Sequence, residues 1–276
     1  MPSKIFVLPG IALLLAVSPA FGQISSPATS ASAAPSTALT VSRQHGPRKA
    51  AGLHPDRVIG NVTVSESNNW SGYAVTGSEF TLAKGSWIVP AVDCAALPNS
   101  SASFWVGIDG WDNDTVEQTG TDSDCNQGTP SYYAWYEFVP ASGETITSVP
   151  VSAGDRVSAE VDFNGSEFTI TMANQTTGKS YRKSLPPGSA KRASAEWIAE
   201  ANGYILSDFG TVSFGQDYTY ASGTNYAADS TTSGQIGDFG ASVQESIMVA
   251  GTDLLEALPS PLSPDGTSFI VAWKTE

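Results

Sequence analysis

The stretch Asp155-Arg-Val-Ser-Ala-Glu-Val-Asp-Phe-Asn-Gly-Ser-Glu-Phe-Thr-Ile-Thr-Met-Ala173 reads as a β-hairpin, two β-prone runs turning at Asn164-Gly165. Asn-Gly between such runs is a strong short-range hairpin signal, because both residues tolerate the positive φ of a tight reversal. Similar runs rich in Val, Ile, Thr, Tyr, Phe and Trp recur at Trp70–Thr76, Phe80–Val89, Ser103–Asp109, Tyr132–Val139 and Ser268–Lys274. Clusters of Gly, Pro, Asn, Asp and Ser separate them. No internal repeat or long helical heptad interrupts the pattern, so the expected class is all-β, an antiparallel sandwich or barrel. Only 14% of the 276 residues are charged, which fits a β-rich exported protein better than a helical cytosolic one.

Ser189–Asn202, bounded by Gly188 and Gly203, leaves two readings open. Its Ala-Lys-Arg-Ala-Ser-Ala-Glu-Trp-Ile-Ala-Glu-Ala core favours a helix on propensity, with Glu196 and Glu200 four apart on one face. As a strand it places Glu196, Ile198 and Glu200 on one side, with Trp197 and Ala199 on the other.

The N-terminal end has a different character. Residues 1–22 read as a secretory signal: Lys4, a short apolar run from Ile5 to Val17, then small residues at Ser18, Ala20 and Gly22. The run is too short to span a membrane. Export makes a Cys94–Cys125 disulfide plausible, its loop stabilising the fold by roughly 3–4 kcal/mol on the chain-entropy model. Residues 23–60 form a Ser/Ala/Pro-rich leader without aromatics, too poor in apolar surface to order itself. Arg43, Arg48, Lys49 and Arg57 against Asp56 give residues 23–57 a charge of +3. Beyond Arg57, eight basic residues face 26 acidic ones, a charge of −18. The leader is therefore either a plain linker or a propeptide that docks by charge on a catalytic domain spanning residues 61–276.

The composition also excludes chemistries. A net charge of −14 disfavours nucleic acid, whose phosphates would be repelled. Two cysteines cannot build a Cys-rich zinc module. The two histidines, His45 and His54, both lie in the leader, so a mature domain has no imidazole for a Ser-His-Asp apparatus or a histidine metal site. No cofactor and no metal are expected. What remains for catalysis is carboxylates and amides. Tyr133, Trp135 and Glu137 share one face by strand alternation, which suits a substrate cleft and a half-buried strand equally well.

Five segments then carry a resemblance: Ser67-Asn-Asn-Trp-Ser-Gly72, Trp105-Val-Gly-Ile-Asp-Gly110, Glu117-Gln-Thr-Gly120, Ala134-Trp-Tyr-Glu137 and Ala195-Glu-Trp-Ile-Ala-Glu200. In order and spacing they resemble the glutamic peptidases, the eqolisin family of secreted acid proteases. The resemblance implies a concanavalin-A-like sandwich of two antiparallel sheets with a cleft on the concave face, and a strand at Ala195–Glu200. It implies a catalytic dyad of Gln118 and Glu200, with Trp70, Trp105, Asp109 and Glu137 lining the substrate cleft. Two positions depart from the family pattern: Tyr133 stands where the fungal pattern has Asp, and Glu117 where it has an aliphatic residue. The first bears on subsite preference and the second adds a charge near the dyad.

The implied chemistry is consistent with the residue types. Glu200 can take a proton from the attacking water and return it to the leaving amine. The Gln118 amide donates to the oxyanion at any pH, worth roughly 10²–10³ in rate. A glutamate near its ordinary pKa of ~4.3 suits acidic working conditions, and Glu137 would raise Glu200 by like-charge repulsion if both face one cleft. Glu196 is the rival carboxylate. The expected partners are protein or peptide substrates and the leader itself as an intramolecular inhibitor, with no nucleic acid, no membrane and a monomeric chain. Two other functions compete: a carbohydrate-binding sandwich using Trp105, Trp135 and Tyr136, and a glycoside hydrolase using Glu137 and Glu200 as its acid pair.

Overall fold

A computed structural model describes residues 44–203, 205–215, 225–251 and 254–274. The signal expected over residues 1–22 and the leader up to Arg43 lie outside the described residues. Among the described residues there are eighteen strands and one short 3-10 helix, Ile236–Ser242. The strands are β1 (Arg57–Ile59), β2 (Val62–Ser67), β3 (Trp70–Thr76), β4 (Leu82–Ile88), β5 (Asn99–Ile108), β6 (Val116–Asn126), β7 (Thr129–Val139), β8 (Glu144–Thr145) and β9 (Arg156–Phe163). They continue with β10 (Phe168–Asn174), β11 (Lys179–Leu185), β12 (Ser194–Glu200), β13 (Thr211–Phe214), β14 (Tyr226–Ala228), β15 (Ser233–Gln235), β16 (Val243–Ala250), β17 (Leu254–Pro259) and β18 (Phe269–Trp273). The chain is an all-β sandwich, as the alternation of short runs and turns implies.

One layer runs β7–β6–β5–β12–β3–β16 with every neighbour antiparallel. The other is built on β11–β10–β9–β4. Strand β2 pairs parallel to β16, the one parallel ladder among the described strands. Alternation assigns the faces. Ala102, Phe104, Val106 and Ile108 of β5 enter the main core with Trp87, Val161, Ile170 and Phe214 of the second layer. On the opposite face of the first layer Trp70, Trp105, Trp135, Val116 and Ile198 form a second apolar cluster.

Segment Ser194–Glu200 is strand β12, bonded to β3 on one edge and β5 on the other. Both ladders are available only once the sheet is assembled, and together they override a helix propensity of a few tenths of a kcal/mol per residue. The hairpin from Arg156 to Asn174 forms as expected, with a longer turn: Phe163 pairs with Phe168, and Asn164 Oδ1 accepts the N–H groups of Ser166 and Glu167 at 2.9 Å each. Strand β6 is new to the structure. Its Thr, Ser, Asp and Gly content does not read as a strand, yet it is buried along nearly its whole length. Its hydroxyls are used on the inside: Thr121 Oγ1 accepts from Trp87 Nε1 at 2.9 Å, and Thr119 Oγ1 donates to the Trp135 carbonyl at 2.7 Å.

The leader also departs from expectation. Residues 44–51 are ordered against the first layer, and β1 at the leader's end forms a hairpin with β2 across the 60/61 boundary. The leader orders without a core of its own by borrowing buried surface from the sandwich.

Cys94 and Cys125 are joined, with Cα atoms 5.4 Å apart, linking the chain after β4 to the end of β6. Replacing both by alanine is expected to lower stability by roughly 3–4 kcal/mol on the chain-entropy model. Equilibrium unfolding in urea, with and without the disulfide, measures it.

Candidate active site

Register places the cleft-facing side chains of five strands in a grid. Trp70, Glu200, Ser103, Asp122 and Tyr133 lie in one row across β3, β12, β5, β6 and β7. Gly72, Ile198, Trp105, Gly120 and Trp135 form the next row, and Ala74, Glu196, Gly107, Gln118 and Glu137 the third. Gly120 and Gly107 are required by packing: a Cβ at Gly120 would stand 2.5 Å from Trp105 Cβ, and one at Gly107 3.2 Å from Gln118 Cβ. The two glycines leave room for Trp105 and Gln118.

Glu200 is held at both oxygens. Its Oε2 accepts from Trp105 Nε1 at 2.9 Å, and its Oε1 accepts from Asn69 Nδ2 at 3.3 Å and from the Gly46 N–H at 3.1 Å. The last donor belongs to the leader. Trp70 Nε1 donates to the Gly46 carbonyl at 3.0 Å, and Asn69 binds Pro47 and Lys49. Arg48 lies over the Trp111 ring at 4.3 Å and donates to Ser65 Oγ at 2.7 Å.

His45 enters deepest and is 1% exposed. Its ring stacks on Trp135 with centroids 3.4 Å apart and planes 6° from parallel. Nδ1 lies 3.0 Å from Glu137 Oε2, Nε2 lies 3.1 Å from Asp122 Oδ1, and the His45 N–H donates to the same Glu137 oxygen at 2.7 Å. A neutral imidazole would set a lone pair against one of the two carboxylates, so the ring is doubly protonated. Burial alone would lower its pKa, but the Asp122 charge and the bonds to Asp122 and Glu137 outweigh it and raise it to about 10.

The carboxylates of the cleft are perturbed in turn. Burial pushes Glu200 up to about 7, against the His45 cation and the bonds from Gly46 and Trp105. On the other face of β6, paired with Ile108, Glu117 is pushed to about 9 by burial, with Asp109 adding to it. Glu196 is raised well above the ordinary range by burial, against a bond from Ser194, with Asp109 and Glu117 adding to the rise. Asp122 is pushed up by burial too, but the His45 cation, Ser103 and Tyr133 outweigh that and hold it low.

The six residues expected for the dyad and cleft lie in or beside this grid. Trp70 and Trp105 flank Glu200. Gln118 is fully buried beside Glu137 in the β6–β7 ladder, and neither amide atom is bonded by a described residue. Asp109 sits at the end of the floor and serves the protein's own backbone, accepting the N–H groups of Lys191, Arg192 and Ala193 at 2.7–2.8 Å. Tyr136 points to the other face and stacks on Tyr181 at 5.9 Å, so Trp105, Trp135 and Tyr136 do not make one sugar-stacking platform. Sequence reasoning did not single out Asp122, Asn69 or the leader's His45 for the cleft. Asp122 was within reach: counting by twos from Gln118 on a strand gives Gly120 and then Asp122. Asn69 lies inside the Ser67–Gly72 motif without a role of its own in the sequence, and in the structure it is 3% exposed.

Fold and site together define a class, a β-sandwich with an acidic, tryptophan-lined cleft on one sheet. Residues 68–253 match the family model described as the Peptidase A4 family, and the chain belongs to that family. The resemblance drawn from the five motifs is thus borne out. The chain is 31% identical over 189 residues to aspergillopepsin-2 of Aspergillus niger, covering 57% of this chain and 66% of that protein. It is 33% identical over 162 residues to scytalidopepsin B of Scytalidium lignicola, covering 55% and 59%. The match thus spans rather less than two thirds of the length of these relatives. Its fold is similar to that of a crystal structure of scytalido-glutamic peptidase with a transition state analog inhibitor, at 24% identity and a TM-score of 0.61, over 75% of this chain and 98% of that one.

The raised groups set the direction of pH dependence. Glu117, Glu200 and His45 have folded pKa values of about 9, 7 and 10 against ordinary values of 4.5, 4.5 and 6.5. Above about pH 4.5 the folded chain therefore binds more protons than the unfolded one, and stability falls as pH rises through these values. Asp122 acts oppositely and withdraws its contribution in strong acid. Calorimetry on the full chain is expected to give a higher Tm at about pH 5 than at about pH 9.

Proposed function

We propose that this chain is the proform of a secreted acid endopeptidase that hydrolyses peptide bonds in proteins with Glu200 and Gln118. One observation carries the reading. A segment of the chain's own backbone crosses the tryptophan-lined floor with a peptide N–H on Glu200, as an extended substrate would. Glu200 takes a proton from water as the oxygen attacks the scissile carbonyl. Gln118 Nε2, which no described residue engages, donates to the oxyanion. The protonated Glu200 then gives its proton to the leaving nitrogen.

The covered cleft is quiet. With the leader in place burial holds Glu200 near 7, so in acid it is protonated and no base. Opening the cleft returns the carboxyl to water and brings it back toward the ordinary range. Release follows in strong acid, when Asp122, which the His45 cation holds low, takes up its proton while the imidazole stays charged. Leader removal then occurs near Arg57–Val64, where Val58 and Ile59 are 72% and 62% exposed. Charge attraction is thereby focused on one buried cation rather than spread over the leader's arginines. Glu137 and Glu200 stand two rows and three strands apart, which does not favour a glycosidase pair acting on one bond.

Gln118→Ala is expected to cut casein hydrolysis at acid pH by roughly 10²–10³, and Glu200→Gln to remove nearly all of it, while Glu196→Gln keeps most. Initial rates with a check of fold by circular dichroism decide it, and full activity in Gln118→Ala would sink the mechanism. For the leader, His45→Ala leaves two buried carboxylates without their cation, a loss large enough to expel it. The uncleaved chain is then expected to gain tenfold or more in initial rate on a small peptide. Arg57→Gln is expected to change little. Mass spectrometry confirms that the chain is still uncleaved when the rate is read.

A further inference from the structure

We propose that strand β11 and the segment that follows it form a docking surface, remote from the cleft, for a linear polysaccharide carrying strong-acid ester groups. The charge of the chain is segregated. Residues 168–195 hold five of the eight cations beyond Arg57, at Lys179, Arg182, Lys183, Lys191 and Arg192, and no Asp or Glu. The rest of the chain beyond Arg57 sets three cations against 26 acids. A basic strip on an acidic body draws a polyanion to one place and repels it elsewhere.

The fold makes these residues one strip. Among the described strands β11 pairs with β10 alone, so it is an edge. Lys179 and Lys183 lie on one face of it, about 13 Å apart along the strand, and Arg182 lies on the other. All three are exposed. Leu185 at its end pairs with Phe168, and Phe168 with Phe163, and the Arg192 guanidinium lies 4.4 Å over that Phe163 ring. The strip thus turns from β11 onto Lys191 and Arg192. The ion pairs among the described residues, His45 with Asp122 and Glu137 and His54 with Glu66, use none of the five. Glu160 stands two strands in from Arg182, in a row that runs Arg182, Thr171, Glu160, Lys84, so Lys84 offsets it from the far side. Asp162 holds the same place relative to Ser184.

The class of partner follows from what accompanies the charges. Ser180 and Ser184 are exposed among the cations and offer hydroxyls to sugar hydroxyls. Tyr181 is the one aromatic between Lys179 and Arg192, and it is half-buried and stacked on Tyr136, so the strip gives nucleic-acid bases nothing to stack on. None of the exposed large apolar side chains of the described residues lies on it, which does not suit insertion into a lipid surface. At roughly pH 3.5 carboxylates are largely protonated, whereas sulfate and phosphate esters keep their charge. This choice of a strong-acid polymer rests on the acid working range of the peptidase reading. Lysines on an edge strand also deter strand addition, but that role asks nothing of Lys191 and Arg192, which stand off the strand.

The test titrates the full chain, carrying Glu200→Gln so that it is not cut, with dextran sulfate at about pH 3.5. Unsulfated dextran and polygalacturonate are the comparison polymers. Lys179→Gln with Lys183→Gln is set against Arg57→Gln with Lys274→Gln, which removes the same charge away from the strip, and circular dichroism checks the fold of each. Dextran sulfate is expected to bind, more tightly than polygalacturonate, and plain dextran not at all. The Lys179 and Lys183 pair of changes is expected to lower its affinity by about tenfold or more, and the control pair by less than about threefold. Equal losses in the two pairs overturn the docking surface, because net charge alone then accounts for binding. So does no binding, or polygalacturonate held as tightly. Association of the chain with itself, seen by sedimentation without polymer and lost on changing Lys179 and Lys183, makes the occupant a second copy and overturns the polysaccharide. Casein hydrolysis by the chain with Glu200 intact is expected to be unchanged by Lys179→Gln and Lys183→Gln. No hydrolysis by the unaltered chain overturns the peptidase reading and leaves the binding result standing.

Discussion

Strands β5, β6 and β12 are covered on both faces, and the rest of the molecule is arranged around that burial. Their backbones bond to one another, so the edges are satisfied. Their faces are not equivalent. One meets the second layer in an ordinary apolar core, and the other holds tryptophans, two glycines, an amide and a set of carboxylates. A polar face can be buried only if something supplies its hydrogen bonds and counter-charge. In this chain the leader contributes to both.

The electrostatics follow from that arrangement. Glu117, Glu196 and Glu200 are raised because water is excluded from them, and Asp122 is low because a cation stands against it. Raised acids at Glu196 and Glu200 beside the His45–Asp122 pair keep the buried face low in charge. The same balance makes the closed form sensitive to pH. The His45 cation keeps Asp122 ionised until strong acid, whereas the imidazole itself stays charged throughout the acid range.

The leader's grip is local rather than diffuse. Its net charge of +3 against −18 suggests a general attraction, yet the contacts that matter are one buried imidazolium, one arginine over Trp111 and a series of backbone bonds. Exposed charges are screened within about 8–10 Å at physiological salt, so they steer more than they hold. Buried ones are screened far less, which is why a single histidine can outweigh the arginines around it.

Several features were legible from the residues. The hairpin at Asn164-Gly165, strand β3 to the residue and the cores of β4, β5, β7, β9 and β18 follow from local β-propensity and turn chemistry, which are properties of neighbours in sequence. The family and the candidate dyad were legible because five motifs keep their order and spacing. Strand β6 was not, because its Ser, Thr and Asp side chains find their partners on β4, β5 and β7. Segment Ser194–Glu200 was ambiguous for the same reason: two flanking ladders decide between helix and strand, and neither partner is local. Above all, no reading of the leader alone predicts that His45 is buried against Asp122, 77 residues away, and Glu137, 92 residues away. A histidine in a Ser/Ala/Pro-rich segment is by itself a solvated side chain. Only the folded sheet, by setting Asp122 and Glu137 on adjacent strands with Trp135 between them, makes a place where that ring is worth ordering.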